Sequence, residues 1–167
     1  MNTKASDEQK MPSKAFFSLV ANPVKFKMFL LKKLPAAYFS GLKIEYVNEN
    51  KCVVSIPYKW FTRNPFRCTY FACLSMAAEM STGILSMANT YNRSPEVLLL
   101  VTAVEGKFYK KATGLTRFIC EEGKIIQHTI EAVVAGAPQS VKILSSGFNE
   151  KNELIAEFWI TWSFKKR

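Results

Sequence analysis

From residue 68 to residue 92 the chain reads CTYFACLSMAAEMSTGILSMANTYN, and Glu79 is the one charged side chain in those 25 positions. Small and apolar residues recur on every side of a helical period, so the stretch has no polar face to turn toward water. It predicts a helix over residues 66–90, enclosed on nearly all sides, opened by Asn64–Pro65 and broken by Arg93–Ser94–Pro95. Upstream, residues 13–20 predict a short helix. Asn22–Pro23 then starts a second, with Asn as N-cap and Pro at the first helical position, and its run VKFKMFLLKKL stops before Pro35. The period changes to two after Gly41. Leu42, Ile44 and Tyr46 alternate with Lys43 and Glu45, and KCVVSIP follows Glu49–Asn50, which predicts a hairpin ended by Pro57. Residues 97–111, VLLLVTAVEGKFYKK, predict a long strand bulged at Gly106, with residues 113–121 returning antiparallel. Ile125, Ile126, Ile130, Val133 and Val134 have mostly helical spacing, so a helix is expected over 122–135, closed by Gly136 and Pro138. SVKILSSGF and ELIAEFWITWSFKK form a last hairpin across residues 149–152, with Leu154, Ala156, Phe158, Ile160, Trp162 and Phe164 on one face.

A helix apolar all round needs cover on all sides, and a helix lying on an open sheet would keep a polar outer face. The expected class is therefore α+β, a curved antiparallel sheet wrapped around a long central helix. The 167 residues suffice for one domain over 12–167 with an N-terminal helical extension, after a polar tail at 1–11 that is expected to be disordered.

Charge and cysteine content narrow the classes further. The net charge is +10, and half of it comes from seven Lys against Asp7 and Glu8 in residues 1–34. A basic chain suits nucleic acid, an anionic membrane or a phosphorylated small ligand such as coenzyme A. No helix-turn-helix, RNA-binding or zinc-finger pattern is present, so nucleic acid is not expected. No uncharged apolar run reaches about 18 residues, so no membrane span is expected. The basic, apolar helix at 24–34 could lie on a membrane surface, although such helices more often pack on their own domain. The first ten residues lack an apolar secretory core, which favours a cytoplasmic location. Cys52, Cys68, Cys73 and Cys120 form no C-x-x-C pair and His128 is the sole histidine, so no metal site is expected and the thiols read as small hydrophobes. His128 falls on a helix surface, and Ser145–Ser146 lacks a nucleophile-elbow context.

That leaves Glu79, because a carboxylate in an apolar helix is costly unless something pairs with it or uses it. Arg63, Arg67 or a nearby Ser or Tyr could be its partner.

Several segments resemble the hotdog fold of acyl-CoA thioesterases, and in particular the uncharacterised thioesterase-like family near the phenylacetate-pathway thioesterases. They are the aromatic turn Trp60–Phe61–Thr62–Arg63–Asn64, the small-residue helix FACLSMAAE from Phe71 to Glu79, the strand end from Lys107 to Ala112, and the Trp-bearing closing strand from Ala156 to Lys166. Together the likeness spans residues 30–167.

The resemblance implies hydrolysis of an acyl-CoA or related thioester at the N-terminus of the central helix. Glu79 would be base or nucleophile, and Asn64 would orient water or the carbonyl. It further implies an acyl pocket of Phe66, Tyr70, Phe71 and Met76, and a phosphate-binding rim of Lys107, Lys110, Lys111 and Arg117. Coenzyme A enters only as part of the substrate, with no separate cofactor. The implied assembly is a homodimer or homotetramer with sites shared between subunits. Pro65–Phe66–Arg67–Cys68 stands where the family carries His–Gly or Gly–Gly, which keeps open a non-catalytic acyl-CoA or fatty-acyl binding protein on the same fold.

Overall fold

The computed structural model describes residues 12–136 and 138–167, so the tail expected at 1–11 lies outside the described residues. The N-terminal extension is helical as its caps require. Helix α1 spans Lys14–Ala21 with the Ser13 hydroxyl accepting from Phe16 N–H, and α2 spans Pro23–Lys33 with Asn22 Oδ1 accepting from Val24 and Lys25 N–H at 3.1 Å each. A further short helix, α3 (Pro35–Ser40), ends on Gly41 at φ 78°. It was not foreseen, because Pro35 reads equally as a stop for α2 and as a first helical residue.

Strands β1 (Lys43–Val47) and β2 (Cys52–Ile56) form the expected antiparallel hairpin. A register shift between Ile44 and Tyr46 breaks the expected alternation, leaving Tyr46 exposed and Val47 half-buried. A 3-10 turn (Trp60–Thr62) precedes α4, which spans Phe71–Thr90 rather than starting at residue 66. Then come β3 (Val97–Phe108), β4 (Thr116–Cys120), α5 (Gly123–Ala135), β5 (Gln139–Phe148) and β6 (Leu154–Lys166).

The six strands make one antiparallel sheet in the order β1-β2-β4-β5-β6-β3. β4 does not return along β3 as expected but crosses to lie between β2 and β5. The bulge in β3 falls between Val101 and Ala103, not at Gly106. Gly106 has a packing reason instead, since a Cβ there would lie 2.9 Å from the Phe158 ring. The last hairpin holds, with Phe158, Ile160, Trp162 and Phe164 all buried on one face of β6.

Helix α4 packs on β2 through β6 and on α5. By length and composition it is apolar enough to cross a membrane, yet it forms the centre of the fold. Ala77, Ala78, Ser81, Thr82 and Leu85 are fully buried on it. Its buried hydroxyls are satisfied: Ser81 meets Ser145 at 2.7 Å, and Thr82 Oγ1 accepts from Trp162 Nε1 at 2.9 Å. The enclosure covers nearly all sides, as expected, and is incomplete on one. Ala72, Ser75, Met76, Glu79 and Met87 form a half-buried stripe along one side of the helix. β3 forms one end of the sheet, pairs among the described residues only with β6, and is exposed along most of its length.

Candidate active site

The segment from Pro57 to Tyr70 sets where α4 begins. Thr62 Oγ1 donates to the Pro57 carbonyl at 2.7 Å and accepts from Lys59 N–H at 3.0 Å, which pins the 3-10 turn. Pro65 biases Asn64 away from helical backbone. The Asn64 side chain then closes a turn, with Oδ1 accepting from Phe66 N–H at 3.0 Å and Cys68 N–H at 3.2 Å. Arg67 completes that turn at φ 58°. Thr69 ties the loop to the far strand end, its N–H and hydroxyl both reaching the Ala112 carbonyl at 2.8 and 3.2 Å. Tyr70 N–H reaches the Thr62 carbonyl at 2.7 Å, so Tyr70 becomes the N-cap and supplies no side-chain acceptor.

A helix start leaves four N–H groups without intrahelical partners. Here Tyr70 N–H is taken by Thr62, and Cys73 N–H turns back to the Tyr70 carbonyl at 2.9 Å. Phe71 and Ala72 N–H have no acceptor among the described residues. They lie at the positive end of the α4 dipole, and a pocket of about 600 Å³ opens there between residues 64–74 and residues 108–112.

Six of the residues expected at the site line this pocket: Asn64, Phe66, Tyr70, Phe71, Lys110 and Lys111. Leu74, Phe108 and Tyr109 line it too. Leu74 follows Tyr70 and Phe71 at helical spacing, and Tyr109 stands inside the quoted strand-end run, so both had a signal in the sequence. The unpaired backbone donors had none, because they depend on where the helix begins. Asn64 is committed to the turn: its oxygen takes two backbone donors and its amide nitrogen approaches Cys68 Sγ at 3.3 Å. It shapes the loop at the edge of the pocket.

The basic residues divide. Lys110 is paired with Glu153 at 2.7 Å, and that contact, then Asn149, holds the Glu153 carboxyl below its usual range. Lys111 has no ion pair among the described residues. Tyr109 donates to Glu157 at 2.6 Å, and that bond pushes its hydroxyl pKa up. Lys107 projects from the other face of β3, over the Trp159 ring at 5.3 Å, and Arg117 pairs with Glu45 at 2.7 Å. Neither lines the pocket.

Glu79 and Met76 stand away from the pocket, on the half-buried stripe. At about 1.5 Å rise per residue, Glu79 lies about 12 Å along the axis from Phe71. The carboxyl has no hydrogen-bond or ion-pair partner among the described residues, and the contacts with Arg63, Arg67, Ser or Tyr that would have made it structural are absent among them. Burial pushes its pKa above the usual carboxylate value. Its Oε1 sits 3.1 Å from where a Cβ on Gly83 would be, and the Trp162 ring lies 3.4 Å from the same point. Trp162 stands on β6, between Val141 of β5 and Val101 of the edge strand β3.

The architecture is shared with several solved structures. A Pseudomonas aeruginosa protein described as a probable thioesterase is similar at 17% identity and a TM-score of 0.73, over 87% of this chain and 97% of that one. A Haemophilus influenzae thioesterase is similar at 12% identity and a TM-score of 0.60, over 87% and 91%. The Escherichia coli PaaI protein of the phenylacetic acid degradation operon is similar at 12% identity and a TM-score of 0.61, over 86% and 94%. These likenesses establish the hotdog fold of the thioesterases. No curated protein matches the chain by sequence. Residues 24–163 match the model of a domain family of unknown function, DUF4442, and the chain belongs to that family.

Proposed function

We propose that the protein hydrolyses an acyl-CoA or a related thioester at the start of α4. The observation that carries this reading is the pair of unpartnered N–H groups, Phe71 and Ala72, beside a pocket of about 600 Å³. Such donors favour an oxygen that becomes negative in the transition state, as a thioester carbonyl does when attacked. Phe66, Tyr70, Phe71 and Phe108 offer apolar surface for an acyl group, and Lys110 and Lys111 offer cations for the phosphates of coenzyme A. Coenzyme A is part of the substrate and no separate cofactor takes part.

One chain cannot complete this site, because its own Glu79 is about 12 Å from the donors along the helix. Two copies with antiparallel α4 helices would set the carboxylate of each beside the helix start of the other. The edge strand β3 supports that assembly: it is 12 residues long, pairs on one side only among the described residues and exposes Leu98, Leu100 and Val104. The active unit is then a homodimer or a pair of dimers. In it Glu79 takes a proton from water, and the oxygen adds to the carbonyl carbon. The oxyanion is held by Phe71 and Ala72 N–H. Collapse breaks the C–S bond and the proton passes to the departing thiolate, leaving a carboxylic acid and a free thiol. Four unpaired cysteines, including Cys52 and Cys120 facing each other across β2 and β4, suit a reducing, cytoplasmic setting.

Thiol release from acyl-CoAs of graded chain length tests the reading. Glu79→Gln should lower kcat by about 10²–10⁴ without any loss of stability. Unchanged hydrolysis would remove Glu79 from the mechanism. A second reading, acyl binding without turnover, is favoured by the run Pro65–Phe66–Arg67–Cys68, which brings no glycine to the approach to the helix start. Lipid retained on the purified protein, with no thiol release from any acyl-CoA, would establish it.

A further inference from the structure

Helix α2 has two apolar faces, and the fold uses one. Phe26 and Leu30, one turn apart, are buried in the domain. Val24, Met28 and Leu31, also at helical spacing, point the opposite way and are 69%, 53% and 47% exposed. At about 100° per residue, Lys25 and Lys32 fall on one flank of this outer strip and Lys27 on the other. An ordinary surface helix puts its polar side outward. This one puts an apolar ridge outward, with two lysines on one flank and one on the other.

The ridge continues into neighbouring elements. Leu34 is exposed at the end of α2, and Phe39 of α3 meets Phe61 with ring centroids 6.1 Å apart, both rings about half exposed. Trp60, beside Phe61, is 75% exposed. At the margin lies a cavity of about 310 Å³ that Lys27, Lys43 and Lys59 all line. None of these three ammonium groups has an ion pair among the described residues, and Lys59 Nζ rests 2.7 Å from where a Cβ on Gly41 would stand. From residue 12 to residue 44 the sequence has six Lys and no Asp or Glu.

We propose that this face docks the protein onto an anionic lipid bilayer, with the Val24–Met28–Leu31 strip and Trp60 entering the headgroup boundary and the lysines meeting lipid phosphates. The charge selects this occupant. A second copy of the same face would bring like charges together. Residues 1–11 contain no Val, Leu, Ile or aromatic side chain with which to cover the strip. An apolar ridge flanked by long cationic side chains matches an interfacial helix whose lysines reach up to the phosphates while their stems stay in apolar surroundings. The exposed Trp suits the same boundary.

Vesicle flotation of the full chain tests this without any turnover, so its result is separate from that of the thioesterase reading. The chain should float with phosphatidylcholine vesicles containing phosphatidylglycerol, remain in the soluble fraction with phosphatidylcholine alone, and be released as salt rises. Met28→Glu with Leu31→Glu should weaken binding at least about tenfold at an unchanged melting temperature, and Lys25→Glu with Lys32→Glu should do the same, leaving the buried face intact. Recovery in the soluble fraction with both vesicle types, equal binding to both, or flotation of the two variants like the parent chain would overturn the proposal.

Discussion

At the scale of single residues, the proposed chemistry turns on Glu79. It is the only charge on a 20-residue helix, it lacks a partner among the described residues, and burial raises its pKa. A base must be ionised, so kcat/KM should rise with pH through a value above the ordinary carboxylate range near 4.3. The same shift has a stability consequence. The unfolded chain loses this proton at lower pH than the folded one, so the contribution of Glu79 is fully present below the unfolded pKa and is lost as pH rises through the folded pKa. Glu79→Gln should therefore gain stability relative to the parent across that window and match it at lower pH, as denaturant melts at a series of pH values would show. A parent rate that is flat across the window would contradict the role. The lysines give a contrasting pair. Lys111→Glu should raise KM for acyl-CoA and reduce its sensitivity to salt, whereas Lys107→Glu, over Trp159 on the other face, should leave KM unchanged.

At the scale of elements, the start of α4 sets where the pocket donors lie. Asn64–Pro65 has the composition of a helix start, and at Asn22–Pro23 the same pair opens a helix in the expected way. At 64 the side chain closes a turn instead, because Thr69 is held to Ala112 and Tyr70 to Thr62, contacts from distant parts of the chain that local sequence does not carry. Those bonds move the helix start five residues along and leave Phe71 and Ala72 N–H at the pocket. The centre of the helix was legible because burial there follows side-chain size. Leu85 is fully buried, and Leu85→Ala should cost about 2–5 kcal/mol in chemical denaturation. A cost under about 1 kcal/mol would mean that the site collapses freely around the smaller residue.

At the scale of the whole molecule, the class, the two hairpins, the central helix and the late helix could be read from periodicity, since each is a local pattern. The path of β4 between β2 and β5 could not, because strand order is set by non-local pairing. The open side of α4 was likewise illegible: the sequence is apolar there whether the cover comes from the same chain or from another. Six of the expected site residues meet in one pocket, while Glu79 and Met76 stand apart on the half-buried stripe. That separation makes the proposed active site a property of two chains.

Mixing two inactive variants tests that claim most directly. Phe71→Pro removes one pocket donor at a helix position that tolerates proline, after a Tyr70 whose ψ of 134° already suits the residue before proline. Glu79→Gln removes the carboxylate. If each site takes its helix start from one subunit and its carboxylate from the other, half of the randomly reassorted dimers hold one intact site, and the equimolar mixture should recover about a quarter of the parent rate of thiol release. A mixture no more active than the two variants measured separately would contradict the shared site.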